Sequence, residues 1–382
     1  MSRKVLQKNF CVVPWTGFEL EPNGDVKNCI ISTEVIGNIA TTPIKDIIEK
    51  NTQLRQQMLD GNYPDNCTGC YKQEQGRQKD FSSISSRLYY AKALAPKVPS
   101  ELFDSAKNFK LKHVDLRWSN KCNQACVYCG PKYSSKWEQE LGEKTPNHRS
   151  AKDSLKEYIY DNIEDLENVY LAGGEPMLMK QNKEFLELLH KRNPGATLRV
   201  NTNLSTTNTG VFDLICKFQN VHWTVSVESM QEEYNYIRHH GNWDDFLKNL
   251  MTIKALPHKI TFNMLYFALN YMSIFDCVKY FQSIGFHNNS FVIGPLTLPD
   301  SLCVLNLPSH MLEKSIKKFK TELESKPGHL LQNSLENCLS YLTNEKFHAN
   351  IKSTLDRLQE MDKRRNINST KIFETFYREV NQ

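Results

Sequence analysis

The chain has 382 residues, 40% apolar and 24% charged, and carries a net charge of +5, which fits a soluble globular protein with a principal domain and one or two appendages. No apolar run approaches the ~20 residues that a bilayer span needs, and the opening Met1-Ser2-Arg3-Lys4-Val5-Leu6-Gln7 lacks a secretory apolar stretch, so no membrane partner and a cytoplasmic location are expected. Thiols stay reduced there, so the eleven cysteines point to metal or catalysis rather than disulfides.

Residues 1–108 read as a small separate unit. Phe10-Cys11-Val12-Val13-Pro14-Trp15 precedes a short strand-like run, and Asn23-Gly24 separates that run from another, which is a tight-hairpin signal. The hairpin would bring Cys29 near Cys11. Spaced apolar positions predict a helix over 44–59, and Cys67-Thr68-Gly69-Cys70 follows. Four thiols in this layout describe a site closed by protein at every corner, which zinc or an iron–sulfur cluster fills equally well. A helix-rich segment runs from Gln73 to Lys110, where Pro96 and Pro99 mark a boundary.

Between 109 and 300 strands and helices alternate. Strands are predicted at 113–118, 169–172, 197–203, 221–229, 260–269 and 290–294, and helices at 155–166, 182–192, 211–218, 244–255 and 273–284. This is an α/β pattern of six units around a parallel sheet. The strands themselves alternate, although covered parallel strands are usually apolar throughout. One face collects Asp115, Arg117, Arg199, Asn201, Asn203, His222, Thr224, Ser226, Glu228, Thr261 and Asn263, while the other collects Val114, Leu116, Trp118, Leu198, Val200, Val221, Trp223, Val225 and Val227. With helices on the apolar face, the polar face lines an interior in which unpaired groups need water, a neighbour or a ligand. An antiparallel sheet with one wet face is the alternative. Residues 301–382 are helical and charged, with leucines from Leu323 to Leu342 at helical spacing, and are expected to cap the open side. Lys363-Arg364-Arg365, the densest basic cluster, reads as a solvated helix end, so no nucleic-acid partner is indicated.

The chemistry concentrates after the first of these strands, in Cys122-Asn123-Gln124-Ala125-Cys126-Val127-Tyr128-Cys129. Three thiolates can hold three irons of a four-iron, four-sulfur cluster and leave the fourth iron open. Half of a zinc site, or three small core residues, would look the same. Gly173-Gly174-Glu175-Pro176 ends the second strand; paired glycines let the backbone approach a ligand, and acceptors there suit an ammonium group. Cys216, Cys277, Cys303 and Cys338 sit in apolar surroundings and read as inert. His239 and His240 look like a helix end and are assigned no metal.

C-x3-C-x2-C followed by G-G-E-P resembles the radical S-adenosylmethionine (SAM) superfamily. The resemblance implies a partial (β/α)6 TIM barrel whose Cys122, Cys126 and Cys129 bind a [4Fe-4S] cluster. Its open iron would be chelated by S-adenosylmethionine, with the turn Gly173, Gly174, Glu175 and Pro176 on the methionyl ammonium. It implies further cofactor contacts from Tyr128 at the adenine, from Asn201 and Asn203, from Ser226 and Glu228 at the ribose and carboxylate, and from Arg238 at the carboxylate. Arg238 pairing with Glu232 or Glu233 on a surface is the ordinary alternative. The N-terminal cysteines Cys11, Cys29, Cys67 and Cys70 are similar to the auxiliary-cluster module, twitch or SPASM-like, of that superfamily, which implies a second [4Fe-4S] cluster rather than zinc, although here the module precedes the barrel. The implied activity is reductive cleavage of the cofactor to a 5'-deoxyadenosyl radical that abstracts hydrogen from a substrate, a peptide or protein by analogy. A reductant such as flavodoxin or ferredoxin would supply the electron. Modification of a nucleotide, sugar or small metabolite is the second reading, and a non-catalytic zinc-binding interaction protein the third.

Overall fold

The computed structural model describes residues 7–74, 85–145, 154–325, 327–345 and 350–382; the opening residues 1–6 and positions 75–84 of the segment read as a linker lie outside them. One nine-stranded sheet runs through the chain in the order β3-β2-β1-β4-β5-β6-β7-β8-β9. Its strands are β1 (Gly17–Leu20), β2 (Asp25–Lys27), β3 (Val35–Asn38), β4 (His113–Leu116), β5 (Asn168–Leu171), β6 (Thr197–Thr202), β7 (Val221–Ser226), β8 (Lys259–Tyr266) and β9 (Phe291–Pro295). The six strands from β4 to β9 are parallel and consecutive, which removes the antiparallel alternative. They form a partial (β/α)6 barrel.

Helices α6 (Ser154–Asp161), α7 (Lys180–Arg192), α8 (Gly210–Ile215), α10 (Trp243–Lys254) and α11 (Ser273–Ser283) alternate with these strands. The two-residue rhythm of the sequence survives in the burial. Along β6 and β7 every second residue is fully covered, with Leu198, Val200, Trp223 and Val225 at 0% exposure, whereas Arg199, Asn201, His222 and Thr224 are half-buried. Covering each such apolar side chain contributes ~1.5–3 kcal/mol, and that orients the strands with their polar face inward. β7 and β8 stop three residues short of their predicted ends, and β4 two. β8 ends at Tyr266 because the apolar Phe267-Ala268-Leu269 turns instead, with Asn270 Oδ1 accepting from Phe267 N–H at 2.8 Å. β7 ends at Ser226, so Glu228 lies beyond the sheet.

The N-terminal unit continues the same sheet. Helix α1 (Val13–Thr16) delivers the chain into β1, which pairs in parallel with β4 from Gly17 opposite His113. A Cβ at Gly17 would lie 2.2 Å from the His113 carbonyl oxygen, so this close approach requires glycine. β1 and β2 form the hairpin signalled by Asn23-Gly24, with Gly24 at φ +84°, and α2 (Ile44–Leu59) has the predicted limits. The fully buried Arg55 of α2 donates to the carbonyls of Ala106 and Asn108 at 2.8 and 2.7 Å and so ties α2 to the approach to β4. A second apolar core gathers Phe10, Trp15 and Phe103 with α4 (Ser86–Leu94), beyond α3 (Thr68–Glu74).

Short helices α5 (Ser135–Leu141) and α9 (Gln231–Ile237) flank the carboxyl ends of the strands. The remaining chain is helical: α12 (Ser309–Glu324), α13 (His329–Asn344), α14 (Ile351–Arg365), α15 (Ser369–Ile372) and α16 (Glu374–Val380). Helix α13 packs along the last strand, β9. Among the described residues no helix is long and apolar enough to cross a membrane.

Candidate active site

The three cysteines of C-x3-C-x2-C follow β4 and lie at the carboxyl ends of the barrel strands, where such sheets present their ligand sites. Their thiols are near enough to raise one another electrostatically, after burial, which is the larger effect. Cys129 is pushed up to about 12. The loop is held from several sides. Ala125 and Val127 donate their N–H groups to the carbonyls of His239 and Ile237 at 2.9 and 2.8 Å, and Ser134 Oγ donates to the Gln124 carbonyl at 2.6 Å.

The Gly-Gly turn is pressed against the approach to this loop. Gly174 N–H donates to the Ser119 carbonyl at 3.2 Å and Glu175 N–H to the Lys121 carbonyl at 2.7 Å. Gly173 adopts φ +107°, and a Cβ at Gly174 would lie 2.2 Å from the Lys121 carbonyl oxygen, so both positions demand glycine. Pro176 opens a single buried turn. The Glu175 side chain departs from expectation. It is fully buried, and its carboxylate is taken up internally, accepting from Met177 N–H at 3.2 Å, Thr202 Oγ1 at 2.8 Å and Asn203 N–H at 2.8 Å. Burial outweighs these donors and raises the carboxyl to about 7. The carboxylate therefore fastens the end of β5 to the end of β6.

Asn203 shapes its own turn through Ser205 N–H at 2.9 Å and also reaches the cluster loop, donating to Asn123 Oδ1 at 3.1 Å and lying 3.8 Å from Cys122 Sγ. Asn201 and Ser226 meet across the lumen face at 3.5 Å. Glu228 and Arg238, expected to contact the cofactor separately, are paired with each other: Nε and Nη2 of Arg238 bond the two carboxylate oxygens at 2.8 and 2.7 Å. Both are at most 3% exposed, so Arg238 is not a surface partner of Glu232 or Glu233. Its remaining Nη1 lies 3.8 Å from Cys126 Sγ. The guanidinium also stands 5.9 Å over the Tyr128 ring, and that ring meets Phe267 edge-on.

Below this rim the lumen carries charge in layers. Arg117 bonds Asp115 through Nε and Nη2 at 3.1 and 2.9 Å and lies 3.0 Å from Glu19 of β1. Arg199 is stacked between the rings of Tyr89 and Tyr170, 4.3 and 5.1 Å from their centroids. His222, lowered to about 3 by burial, is neutral and bonds Thr261 Oγ1 at 2.7 Å.

The four N-terminal cysteines, distant in sequence, line one cavity together with Val13, Ile31, Asn66, Ser86 and Arg87. Burial raises all four thiols, first among the causes, and neighbouring cysteines add to it for Cys11, Cys29 and Cys67. All the cysteines are free thiols. Among the described residues no three His, Cys, Asp or Glu side chains close on a single ion. In a four-iron cluster each thiolate takes a different iron, so a cavity lined by four thiols suits that group, whose binding would drive off the protons that burial retains.

Residues 116–281 match the radical SAM superfamily, and residues 11–71 match the SPASM iron–sulfur cluster-binding domain. Residues 116–281 are thus a radical SAM domain, preceded by an iron–sulfur cluster-binding domain. The two domains are those of a [4Fe-4S] cluster with S-adenosylmethionine and of an auxiliary iron–sulfur cluster. GTP 3',8-cyclase of Nautilia profundicola is 29% identical over 94 residues, 25% of this chain and 28% of that protein, so the chain spans little more than a quarter of that curated relative. Among solved structures, anSMEcpe with bound AdoMet is similar at TM-score 0.43 and 14% identity over 56% of this chain and 62% of that one. SuiB of Streptococcus suis bound to S-adenosylmethionine is similar at 0.41 and 14% over 73% and 60%.

Several residues of this radical SAM site were not found by sequence reasoning. Asn123 and Ser205 link the loop to β6 at 2.9 Å. Arg357 and Arg365 of α14 reach the loop carbonyls, which overturns the reading of Lys363-Arg364-Arg365 as wholly solvated, since the Arg365 side chain is 1% exposed. No local pattern marks them, because eight residues along a helix carry the second arginine about 80° round from the first.

Proposed function

We propose that this enzyme cleaves S-adenosylmethionine reductively at the cluster on Cys122, Cys126 and Cys129 and removes a hydrogen atom from a peptide or protein held in the lumen. The observation that carries the reading is the juxtaposition of three thiols at the carboxyl ends of the strands with the Gly173-Gly174 turn packed on the same loop. Bound there, the cluster supplies the one electron that breaks the sulfonium bond of the cofactor. The chain's own part is positional and electrostatic. Asn203, Asn123 and Ser205 fix the loop against β6, the Glu228–Arg238 pair sets a guanidinium beside Cys126, and the half-buried lumen face of β6 and β7 offers polar groups to a substrate.

The four-cysteine site has protein at every corner, so it serves as an electron acceptor or relay rather than a substrate ligand; an external donor such as flavodoxin or ferredoxin supplies the first electron. A peptide or protein substrate is carried by analogy with enzymes that hold an auxiliary cluster, the kind of domain matched over residues 11–71. The partial likeness to GTP 3',8-cyclase favours a nucleotide as the second reading. Anaerobically reconstituted protein with dithionite and cofactor should release 5'-deoxyadenosine, and changing the three barrel cysteines to alanine should abolish it. Deuterium carried from labelled peptides into 5'-deoxyadenosine supports the first reading; deuterium from labelled nucleotides alone replaces it with the second.

A further inference from the structure

The geometry points to helix α14 as a working part of the cluster site: Arg357 and Arg365 are positioning residues that hold the three-cysteine loop by its carbonyls and raise the reduction potential of the cluster it carries. The inference rests on the radical SAM reading of that loop. Three successive carbonyls are each taken by a side chain donor: Ala125 by Arg365 Nη2 at 2.9 Å, Cys126 by Trp137 Nε1 at 2.8 Å and Val127 by Arg357 Nη2 at 2.8 Å. The opposite edge of the same segment is held through Ala125 and Val127 N–H. The loop is thus gripped along both edges, and two of the grips come from residues more than 200 positions away.

Arg365 is itself fixed. Its Nε lies 3.1 Å from both Glu140 carboxylate oxygens, and its guanidinium stands 4.8 Å over the Trp137 ring. Eight residues advance an α-helix about 12 Å and turn it about 80° beyond two full turns, so Arg357 and Arg365 flank one broad face, and both reach the same three-residue segment. Buried Leu358 and Met361 seat the intervening turns in the core. The helix is pinned at its end by Asp362, whose carboxylate accepts from Tyr236 Oη at 2.9 Å and from Ser369 N–H and Oγ at 2.8 and 2.7 Å. Arg365 is buried and Arg357 half-buried, and each keeps a buried nitrogen that makes no hydrogen bond, a cost that a surface helix bears only if something gains from the charge. Reducing the cluster adds one negative charge, and nearby cations in a poorly screened site favour the reduced form.

The test compares the full-length protein with Arg365→Met, Arg357→Met and Arg365→Lys, using Lys363→Met on the exposed face of the same helix as a control. In reconstituted protein, a redox titration followed by electron paramagnetic resonance identifies the barrel cluster by its response to S-adenosylmethionine. Each methionine variant should lower the reduced-to-oxidised ratio at a fixed potential about tenfold, which is 59 mV for one electron. Arg365→Lys should recover most of that ratio. In iron-free protein, hydrogen exchange of residues 122–130 should quicken at least tenfold in all three variants and stay unchanged in the control. Unchanged ratio and exchange in Arg357→Met, which disturbs the fold less than the buried Arg365, would overturn the proposal. If the wild-type chain loads no iron on Cys122, Cys126 and Cys129, the radical SAM reading and the electrostatic half of the inference fail together, while the exchange measurement still decides the clamp.

Discussion

Replacing Glu19 by glutamine should leave the fold nearly unchanged in stability at pH 4.5 and make it more stable at pH 8. Glu19 is fully buried on β1, beside Asp115, whose two oxygens already hold Arg117. Arg117 Nε lies 3.0 Å from Glu19 Oε1, yet neither Glu19 oxygen has a hydrogen bond of good geometry. The contact is an ion pair by distance alone. Burial, only partly offset by Arg117, raises the carboxyl from 4.5 to about 7. The sign follows from linkage. Below pH 4.5 the group is protonated whether the chain is folded or not; as pH rises to 7 the unfolded chain ionises freely and the folded one resists, so stability falls across that window. At 1.36 kcal/mol per pKa unit, the difference between 4.5 and about 7 amounts to about 3 kcal/mol. Glutamine cannot ionise and can turn its oxygen to Arg117. Urea unfolding followed by tryptophan fluorescence, for both chains at pH 4.5 and pH 8, reads the difference directly. A variant that is equally or less stable than the parent at pH 8, or a difference that does not change with pH, would refute the argument.

Other changes probe other parts of the site. Gly174→Ala drives a Cβ into backbone, 2.2 Å from the Lys121 carbonyl oxygen, and should displace the cysteine loop; iron analysis and paramagnetic resonance should show the barrel cluster lost and the auxiliary one retained. Thr202→Val removes a donor to the buried Glu175 carboxylate and an acceptor for Leu204 N–H, and should cost about 1–3 kcal/mol in urea unfolding. Iron loading should weaken as pH falls, because buried thiols raised to about 12, such as Cys29 and Cys129, must release protons to bind it. A pH-stat record of reconstitution would show acid released in proportion to iron bound.

What could be read from the sequence is what short-range physics determines. The limits of α2, the hairpin at Asn23-Gly24 and the polar alternation of β6 and β7 depend on neighbours within a few residues, and each appears where its pattern lies. The strand ends were overrun because an apolar run such as Phe267-Ala268-Leu269 looks the same extended or turned; Asn270 decides it by capping the turn. The pairing of Glu228 with Arg238 was hidden because the two lie on a loop and a helix end whose mutual approach depends on where β7 stops. The grip of Arg357 and Arg365 on residues 125–127 was hidden for a stronger reason. A helix with three adjacent cations at its end looks solvated by composition, and only the folded path shows that Arg365 points inward while Lys363 points out.

The topology places the two thiol sites at opposite ends of the same strands. Cys11 precedes α1 and the start of β1, which is level with the start of β4, and Cys29 follows the antiparallel β2 back to that end; Cys122 follows the far end of β4. Four residues of β4 alone span about 13 Å, so a small group bound beside the Gly173-Gly174 turn does not also touch the four-cysteine cavity. Helix α4 bridges the gap. Ser86 and Arg87 at its start line that cavity, while Tyr89 stacks on Arg199 and Tyr90 lies 4.3 Å from His113 at the floor of the lumen. Because both ends of this arrangement hang on one short helix, the docking of β1 onto β4 through Gly17 does more than extend a sheet: it fixes the four-cysteine cavity beneath the lumen, apart from the three-cysteine loop at its rim.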